Sequence, residues 1–309
     1  MIVYSGKEKL NITENTVVTI GKFDGMHKGH QKLISRMQDV SVKENLNTVL
    51  FTFDISPAAY LNKYDRKFIT TDIERIKITE DSGIDYFVSY PFTEAVRCMS
   101  GEEFISKVLV DELHAKYIVV GTDFKFGHNR TGDVALLKAL SCKYGYQLIV
   151  EEKLKNNKGS EISSTLIRSL VREGDMEGVY ECLGRPYSIK GEVIHGNHMG
   201  TSFGIPTINQ RPDETKLLPP RGVYVSKVNV DGKVYGGITN IGCKPTVGEN
   251  SIGVETFLFD FEGDIYGACV ETNLLKFVRT ERKFASVEEL TAQINRDAAF
   301  GREYLNSYS

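Results

Sequence analysis

Thr16-Val17-Val18-Thr19-Ile20-Gly21-Lys22-Phe23-Asp24-Gly25-Met26-His27-Lys28-Gly29-His30 is the stretch on which the fold turns. Its first five residues are β-branched and form a strand. A glycine-rich turn follows, and from about Gly29 the residues Leu33, Ile34, Met37 and Val40 recur at helical spacing. Beyond that helix Thr48-Val49-Leu50-Phe51-Thr52-Phe53 is again strand-like, so the chain reads strand, helix, strand, the signature of a parallel sheet.

The alternation continues outward. Strands are expected at 86–90, 117–120 and 147–150, and helices at 101–113 and 133–144, which gives a doubly wound α/β domain. The periodicity stops around Lys153–Ser160; two short helices, Ser163–Glu173 and Asp175–Cys182, then lead to a boundary near Gly184-Arg185-Pro186. Beyond it the texture is β-rich, with an Asp231-Gly232 turn between Tyr224–Val230 and Val234–Ile238 as a hairpin signal. Six to seven strands in about 120 residues, then a helix at Ser286–Leu305, suggest a small β-barrel closed by a C-terminal helix. The expected division is residues 1–184 and 185–309.

The 309 residues suffice for two domains of ~100–200 residues each. Hydrophobic residues make up 41% and charged residues 26%, a globular balance rather than a disordered one. The net charge of −3 provides no global attraction to nucleic acid, and no basic stripe with interleaved aromatics is visible, so nucleic acid is not an expected partner. There is no signal-peptide pattern at the N-terminus and no apolar run near the ~20 residues that span a bilayer. The expected location is the cytoplasm, without membrane attachment. The five cysteines are widely separated and never in a C-x-x-C pair, which argues against a disulfide framework or a zinc site. No oligomeric state is read from the sequence.

His27 and His30 stand where a strand hands over to a helix N-terminus. Free backbone N–H groups and the positive end of the helix dipole suit a polyphosphate there, and Gly29 lets the backbone come close. Gly121-Thr122-Asp123-Phe124-Lys125-Phe126-Gly127 follows another strand at its carboxyl end, where ligands of open α/β sheets gather. Ser163, Ser164 and Thr165 offer hydroxyls at a helix start and Arg168 a guanidinium one turn later, although alone such hydroxyls are ordinary helix caps. In the β-rich half, a Gly-rich run ending in Pro206-Thr207-Ile208-Asn209 offers backbone N–H groups for phosphates and hard oxygen ligands for Mg²⁺.

The decade Gly21-x-Phe23-Asp24-Gly25-x-His27-x-Gly29-His30 resembles the nucleotidyltransferase signature. With the 121–127 and 162–168 segments it is similar to the adenylyltransferase module of bacterial bifunctional riboflavin kinase/FMN adenylyltransferases. Gly204-Ile205-Pro206-Thr207-Ile208-Asn209, Leu217–Tyr224, Asn240–Thr246, Asp260–Gly267 and Arg279–Phe284 resemble the riboflavin kinase module of the same family, in the same order. The resemblance implies a Rossmann-like nucleotidyltransferase sheet followed by a riboflavin-kinase barrel. It implies FAD biosynthesis, in which riboflavin is phosphorylated by ATP to FMN and FMN is adenylylated to FAD with release of pyrophosphate.

In that reading His27, His30 and Glu255 are catalytic, with Glu255 as the base, expected to point into the barrel mouth. The nucleotide is met by Gly21, Phe23, Asp24, Gly25, Gly29, Ser164, Thr165 and Arg168 in one module and by Gly196, Gly200, Gly204 and Pro206 in the other. Flavin is met by Asp123, Phe124, Phe126, Gly127 and Arg279, and Thr207 and Asn209 hold Mg²⁺. Two departures from the family pattern stand out: Ile55-Ser56-Pro57 lacks the usual histidine, and Thr201 replaces an arginine, with His198 nearby as a partial substitute. The first would slow or retune adenylyl transfer, and the second would weaken ATP binding or turnover in the kinase. The alternatives are a paralogue with one dominant activity and a flavin-binding regulatory protein.

Overall fold

A computed structural model describes residues 1–6, 9–54, 67–195, 207–243 and 252–308. The chain forms two units, one of residues 1–66 and 70–163, the other of Lys67–Ile69 with residues 164–309.

In the first unit the elements run β1 (Ile2–Ser5), β2 (Thr16–Ile20), α1 (Lys28–Glu44), β3 (Asn47–Phe53), α2 (Asp72–Asp81), β4 (Tyr86–Tyr90), α3 (Glu94–Cys98), α4 (Gly101–Glu103), β5 (Ala115–Gly121), β6 (Lys125–Phe126), β7 (Gly132–Asp133), α5 (Val134–Tyr144) and β8 (Gln147–Glu151). Six strands form one parallel sheet in the order β1-β4-β3-β2-β5-β8. All five residues of β2 are buried, as befits a central strand covered on both faces. Successive residues serve opposite layers: Val18 and Ile20 join the core with Phe51, Ile118 and Val120, while Val17 joins Leu33, Ile34, Met37 and Val40 of α1 on the other side. The strand order reverses direction between β2 and β5, the position at which such sheets open a crevice beyond their strand ends.

Three features depart from the sequence reading. An edge strand, β1, pairs in parallel with β4. α2 was not read because it buries Glu74, Arg75 and Thr79 rather than an apolar stripe. The helix expected at 101–113 is present, but from Phe104 to Glu112 it is wound as a π-helix, ending with the Leu113 N–H on the Val108 carbonyl at 3.0 Å.

The second unit begins with α6 (Ser164–Glu173) and α7 (Met176–Leu183), followed by β9 (Tyr187–Ile194), β10 (Thr207–Pro212), β11 (Gly222–Val230), β12 (Lys233–Cys243), β13 (Ile252–Leu258), β14 (Cys269–Thr280) and α8 (Val287–Ser307). The strands close a six-stranded antiparallel barrel in the order β10-β13-β12-β11-β14-β9, with β9 pairing back to β10. Its interior holds Val193, Ile208, Val228, Leu258 and Val270 at one level. A hydroxyl ladder, Ser226–Thr239–Thr256, is fully hydrogen-bonded at 2.7 and 2.8 Å. The outer faces of β11 and β12 pack under α8 through Val223, Val225, Ile238 and Ala298. α6 and α7 go with the barrel, α7 lying against β14 and β9, so the compact units divide at Ser163/Ser164.

Candidate active sites

The first constellation is built by the turn that leaves β2. Phe23, Gly25 and Met26 all have left-handed backbone, with φ of 49°, 92° and 43°. For the two non-glycine residues this is a strained conformation that needs support from its surroundings. That support is visible. Phe23 and Met26 are fully buried. The Gly25 N–H donates to Thr70 Oγ1 at 3.0 Å and the Thr70 N–H to Asp24 Oδ1 at 3.4 Å. Arg75 donates to the Lys22 carbonyl at 3.2 Å and Gln31 Nε2 to the Met26 carbonyl at 2.9 Å.

His27 is the N-cap of α1. Its Nδ1 accepts the His30 backbone N–H at 3.3 Å, so the ring proton resides on Nε2, which remains a donor. The two imidazoles are stacked, with centroids 3.6 Å apart and planes at 17°, and Phe23 meets His30 edge-on at 5.1 Å. Gly29 fits closely into this packing: a Cβ there would lie 3.1 Å from His27 Nδ1 and 3.2 Å from its Cε1, so the imidazole would have to give by a few tenths of an ångström. Gly21 is likewise close, its notional Cβ 3.3 Å from the Phe23 ring.

The loop after β5 lies at the same switch point. Phe124 and Phe126 stack at 5.3 Å, and Phe126 rests against Phe104. Gly127, with φ 71°, passes so close to Gly101 that a Cβ would sit 2.8 Å from the Gly101 nitrogen. Exposed Asp123 is paired with Lys153, which also meets Glu161, both at 2.9 Å; these contacts, Glu161 first, raise the Lys153 ammonium above its ordinary value. Ser164, Thr165 and Arg168 lie in the second unit, on α6, where Arg168 is buried and donates to the Lys67 carbonyl at 2.6 Å.

In the barrel, Thr207 Oγ1 donates to Glu255 Oε1 at 2.6 Å. Asn209 pairs directly with Glu255 across β10 and β13, Glu255 with Asn240, Asn240 with Val223, and Val223 with Arg279. Residues directly opposite share a face, so Asn209, Glu255, Asn240 and Arg279 form one row on the barrel wall. That row is on the outside. Val254, Thr256 and Leu258 take the inward positions of β13, which turns Glu255 outward with Phe257 and corrects the expectation that it points into the barrel mouth.

Arg279 is held by Asp297 of α8 through contacts of 2.8 to 3.2 Å, and Gln293 donates to the same carboxylate at 2.7 Å. Asp297, Thr70 and Arg75 were missed by sequence reasoning; each acts through a partner far along the chain, and none sits in a motif. Gly196, Gly200, Gly204 and Pro206, together with Ser56, His198 and Thr201, lie outside the described residues. Among the described residues no cluster of three or more His, Cys, Asp or Glu could hold a metal ion, and no helix is long and apolar enough to cross a membrane.

A parallel sheet with paired histidines at its switch point, followed by a barrel bearing a Thr–Glu pair, defines a two-module transferase. Comparison with known proteins narrows this. Residues 9–166 match the FAD synthetase family model and residues 183–305 the riboflavin kinase model. A bifunctional riboflavin kinase/FMN adenylyltransferase of Buchnera aphidicola subsp. Schizaphis graminum is 37% identical over 96% of both chains. The protein of that name from Escherichia coli K12 is 34% identical over 94% of this chain and 93% of its own. A crystal structure described as the macrolide-efflux protein from Streptococcus pneumoniae superposes with a TM-score of 0.89 at 30% identity, covering 97% of this chain and 98% of that one. The chain belongs to the bifunctional riboflavin kinase/FMN adenylyltransferase family, transferases of FAD biosynthesis. A single-activity paralogue and a flavin-binding regulator are not favoured, since both modules match.

Proposed function

We propose that the barrel transfers the γ-phosphoryl group of ATP to riboflavin, giving FMN and ADP, and that the sheet joins FMN to the AMP moiety of a second ATP, giving FAD and pyrophosphate. The observation that carries this reading is the match of both modules, in order, over nearly the whole chain. We assign residues 1–184 to the adenylyltransferase and 185–309 to the kinase, and the cytoplasm as the site of action.

At the sheet, a phosphate oxygen of FMN attacks the α-phosphorus of ATP and pyrophosphate leaves. His27 donates from Nε2 to phosphate oxygens, and the stacked His30 does the same as charge builds on them. Gly21, Phe23, Asp24, Gly25 and Gly29 shape the backbone cradle, and Ser164, Thr165 and Arg168 supply further phosphate contacts. Asp123, Phe124, Phe126 and Gly127 receive the flavin.

At the barrel, Glu255 accepts the proton of the riboflavin 5′-hydroxyl as that oxygen attacks the γ-phosphorus. The Thr207 hydroxyl donates to the Glu255 carboxylate and so orients it, while the hydroxyl oxygen keeps acceptor lone pairs that a cation can use. With the Asn209 side chain on the same row, the oxygen donors fit Mg²⁺, which binds through few protein ligands plus substrate phosphates. Mg²⁺ held by Thr207 and Asn209 would neutralise phosphate charge. Arg279 contributes to flavin binding, and Gly196, Gly200, Gly204 and Pro206 to the ATP loop.

The test is a time course with riboflavin and MgATP beside one with FMN and MgATP, the flavins separated by chromatography. FMN followed by FAD in the first and FAD in the second are expected. FAD from FMN without any FMN from riboflavin, or the reverse, would refute the two-activity reading.

A further inference from the structure

Arg75 is 5% exposed, a buried cation of the first unit that neither reaction uses. Taking a guanidinium out of water is costly unless its charge and its donors are met. Here they are met only in part. Nη2 donates to Asp72 at 2.6 Å, but that carboxylate side chain is itself 66% exposed. The guanidinium carbon stands 5.9 Å from the centre of the Phe87 ring, and Nε has no hydrogen-bond partner among the described residues. An apolar side chain would fill the same space without these costs. What it could not do is make the remaining contact, from Nη1 to the Lys22 carbonyl at 3.2 Å.

That carbonyl belongs to the peptide that joins Lys22 to Phe23. Phe23 follows it with a left-handed φ of 49°, a conformation that persists only where neighbours impose it. Holding the carbonyl fixes the plane of this peptide, because only φ and ψ are soft. The consequence reaches the histidines through the side chain. The Phe23 ring meets His30 edge-on, 5.1 Å between centroids, and His30 stacks on His27 at 3.6 Å. Arg75 is anchored at the head of α2, whose capping box joins Thr71 and Glu74 and whose preceding residue, Thr70, holds Asp24 and Gly25. Lys22, Asp24 and Gly25 are thus all gripped from one helix start within the same unit.

We propose that Arg75 is a positioning residue for adenylyl transfer: by holding the Lys22 carbonyl it sets the backbone of Phe23, and the Phe23 ring sets the His30–His27 stack. The inference rests on the reading that these histidines serve FAD formation, and it adds that a buried arginine outside the glycine-rich motif governs their placement.

The test uses the full chain with Arg75→Met, which keeps a long apolar side chain and removes every donor. The kcat and KM of FAD formation from FMN and MgATP are measured beside FMN formation from riboflavin. Hydrogen exchange is followed at the Met26 amide, which donates to the Phe23 carbonyl at 3.2 Å. The kcat of FAD formation is expected to fall, and Met26 exchange to accelerate, each about tenfold, the scale of one lost hydrogen bond from a charged donor. The KM for FMN and the rate of FMN formation should stay within twofold, a split that a general loss of structure would not give. Asp72→Asn removes the ion-pair partner while leaving the Lys22 contact, and should keep kcat within twofold of wild type. An unchanged kcat or an unchanged Met26 exchange rate in Arg75→Met, an equal fall in both reactions, or a fall in Asp72→Asn as large as in Arg75→Met would overturn the proposal. Phe23→Leu, which keeps Arg75 but takes the ring edge from His30, should reproduce the kcat loss even if Arg75→Met does not fold; normal FAD formation there would also overturn it. His30→Ala run in parallel separates the two claims: if it leaves FAD formation intact, the reading of the histidines fails, whereas if it abolishes FAD while Arg75→Met has no effect, only the positioning role fails.

Discussion

Gly29→Ala places a methyl group 3.1 Å from His27 Nδ1 and 3.2 Å from His27 Cε1, closer than side chains ordinarily pack. The neighbour in the way is the imidazole that caps α1, which can give way only by tilting off the His30 N–H it holds at 3.3 Å. Two opposing stability effects result. Losing the cap costs about 1 kcal/mol, and replacing glycine by alanine inside a helix returns up to about 1 kcal/mol. Net stability should therefore stay within about 1 kcal/mol of wild type. Catalysis has no such compensation. A displacement of a few tenths of an ångström in a group that must meet developing phosphate charge predicts a fall of about ten- to a hundredfold in the kcat of FAD formation. The assay is FMN with MgATP, followed by chromatography of FAD, with thermal unfolding and riboflavin phosphorylation measured on the same preparation. FAD formation within twofold of wild type would refute the reasoning, as would a loss accompanied by an equal loss of phosphorylation.

Two further substitutions probe other supports. Asp297→Asn removes the charge that holds Arg279 from α8 while leaving a side chain of the same size. It should lower stability by about 1–3 kcal/mol in denaturant unfolding and raise the KM for riboflavin without changing FAD formation from FMN; unchanged stability would show that the pair carries no weight. Glu103, in the capping box with Ser100 that leads into the helix beneath Gly127, has its carboxyl lowered to about 2 by Lys107 and by the Ser100 amide and hydroxyl. A depressed carboxyl stabilises the fold fully above its ordinary value of 4.5 and ceases to do so as pH falls through about 2. Glu103→Gln should thus unfold at a lower temperature than wild type at pH 7, with the two curves converging near pH 2; a difference that widened towards acid would contradict this sign.

What the sequence made legible was what is written in local pattern. The buried β2 run, the α1 stripe of Leu33, Ile34, Met37 and Val40, the Asp231-Gly232 hairpin and the terminal helix each rest on residues close in the chain, and each is present in the structure. The constraint the structure shows on Gly29 comes from the His27 ring two residues away, and it is not the close backbone approach for which the sequence singled that glycine out. α2 was not legible, since its inward face carries Glu74, Arg75 and Thr79, which only the turn it braces explains. The orientation of Glu255 could have been read: Val254, Thr256 and Leu258 alternate with it and claim the interior. Asp297 and Arg75 were beyond reach. The Arg279 and Lys22 that they hold lie 18 and 53 residues away, and no spacing rule connects residues that meet only after the chain has folded.

The most direct test of two separate sites is a pair of single substitutions assayed for both products. His30→Ala should abolish FAD formation from FMN and leave FMN formation from riboflavin intact; Glu255→Ala should abolish FMN formation and leave FAD formation from supplied FMN intact. If either change removed both activities in a protein that remains folded, the assignment of adenylyl transfer to the sheet and phosphoryl transfer to the barrel would be contradicted.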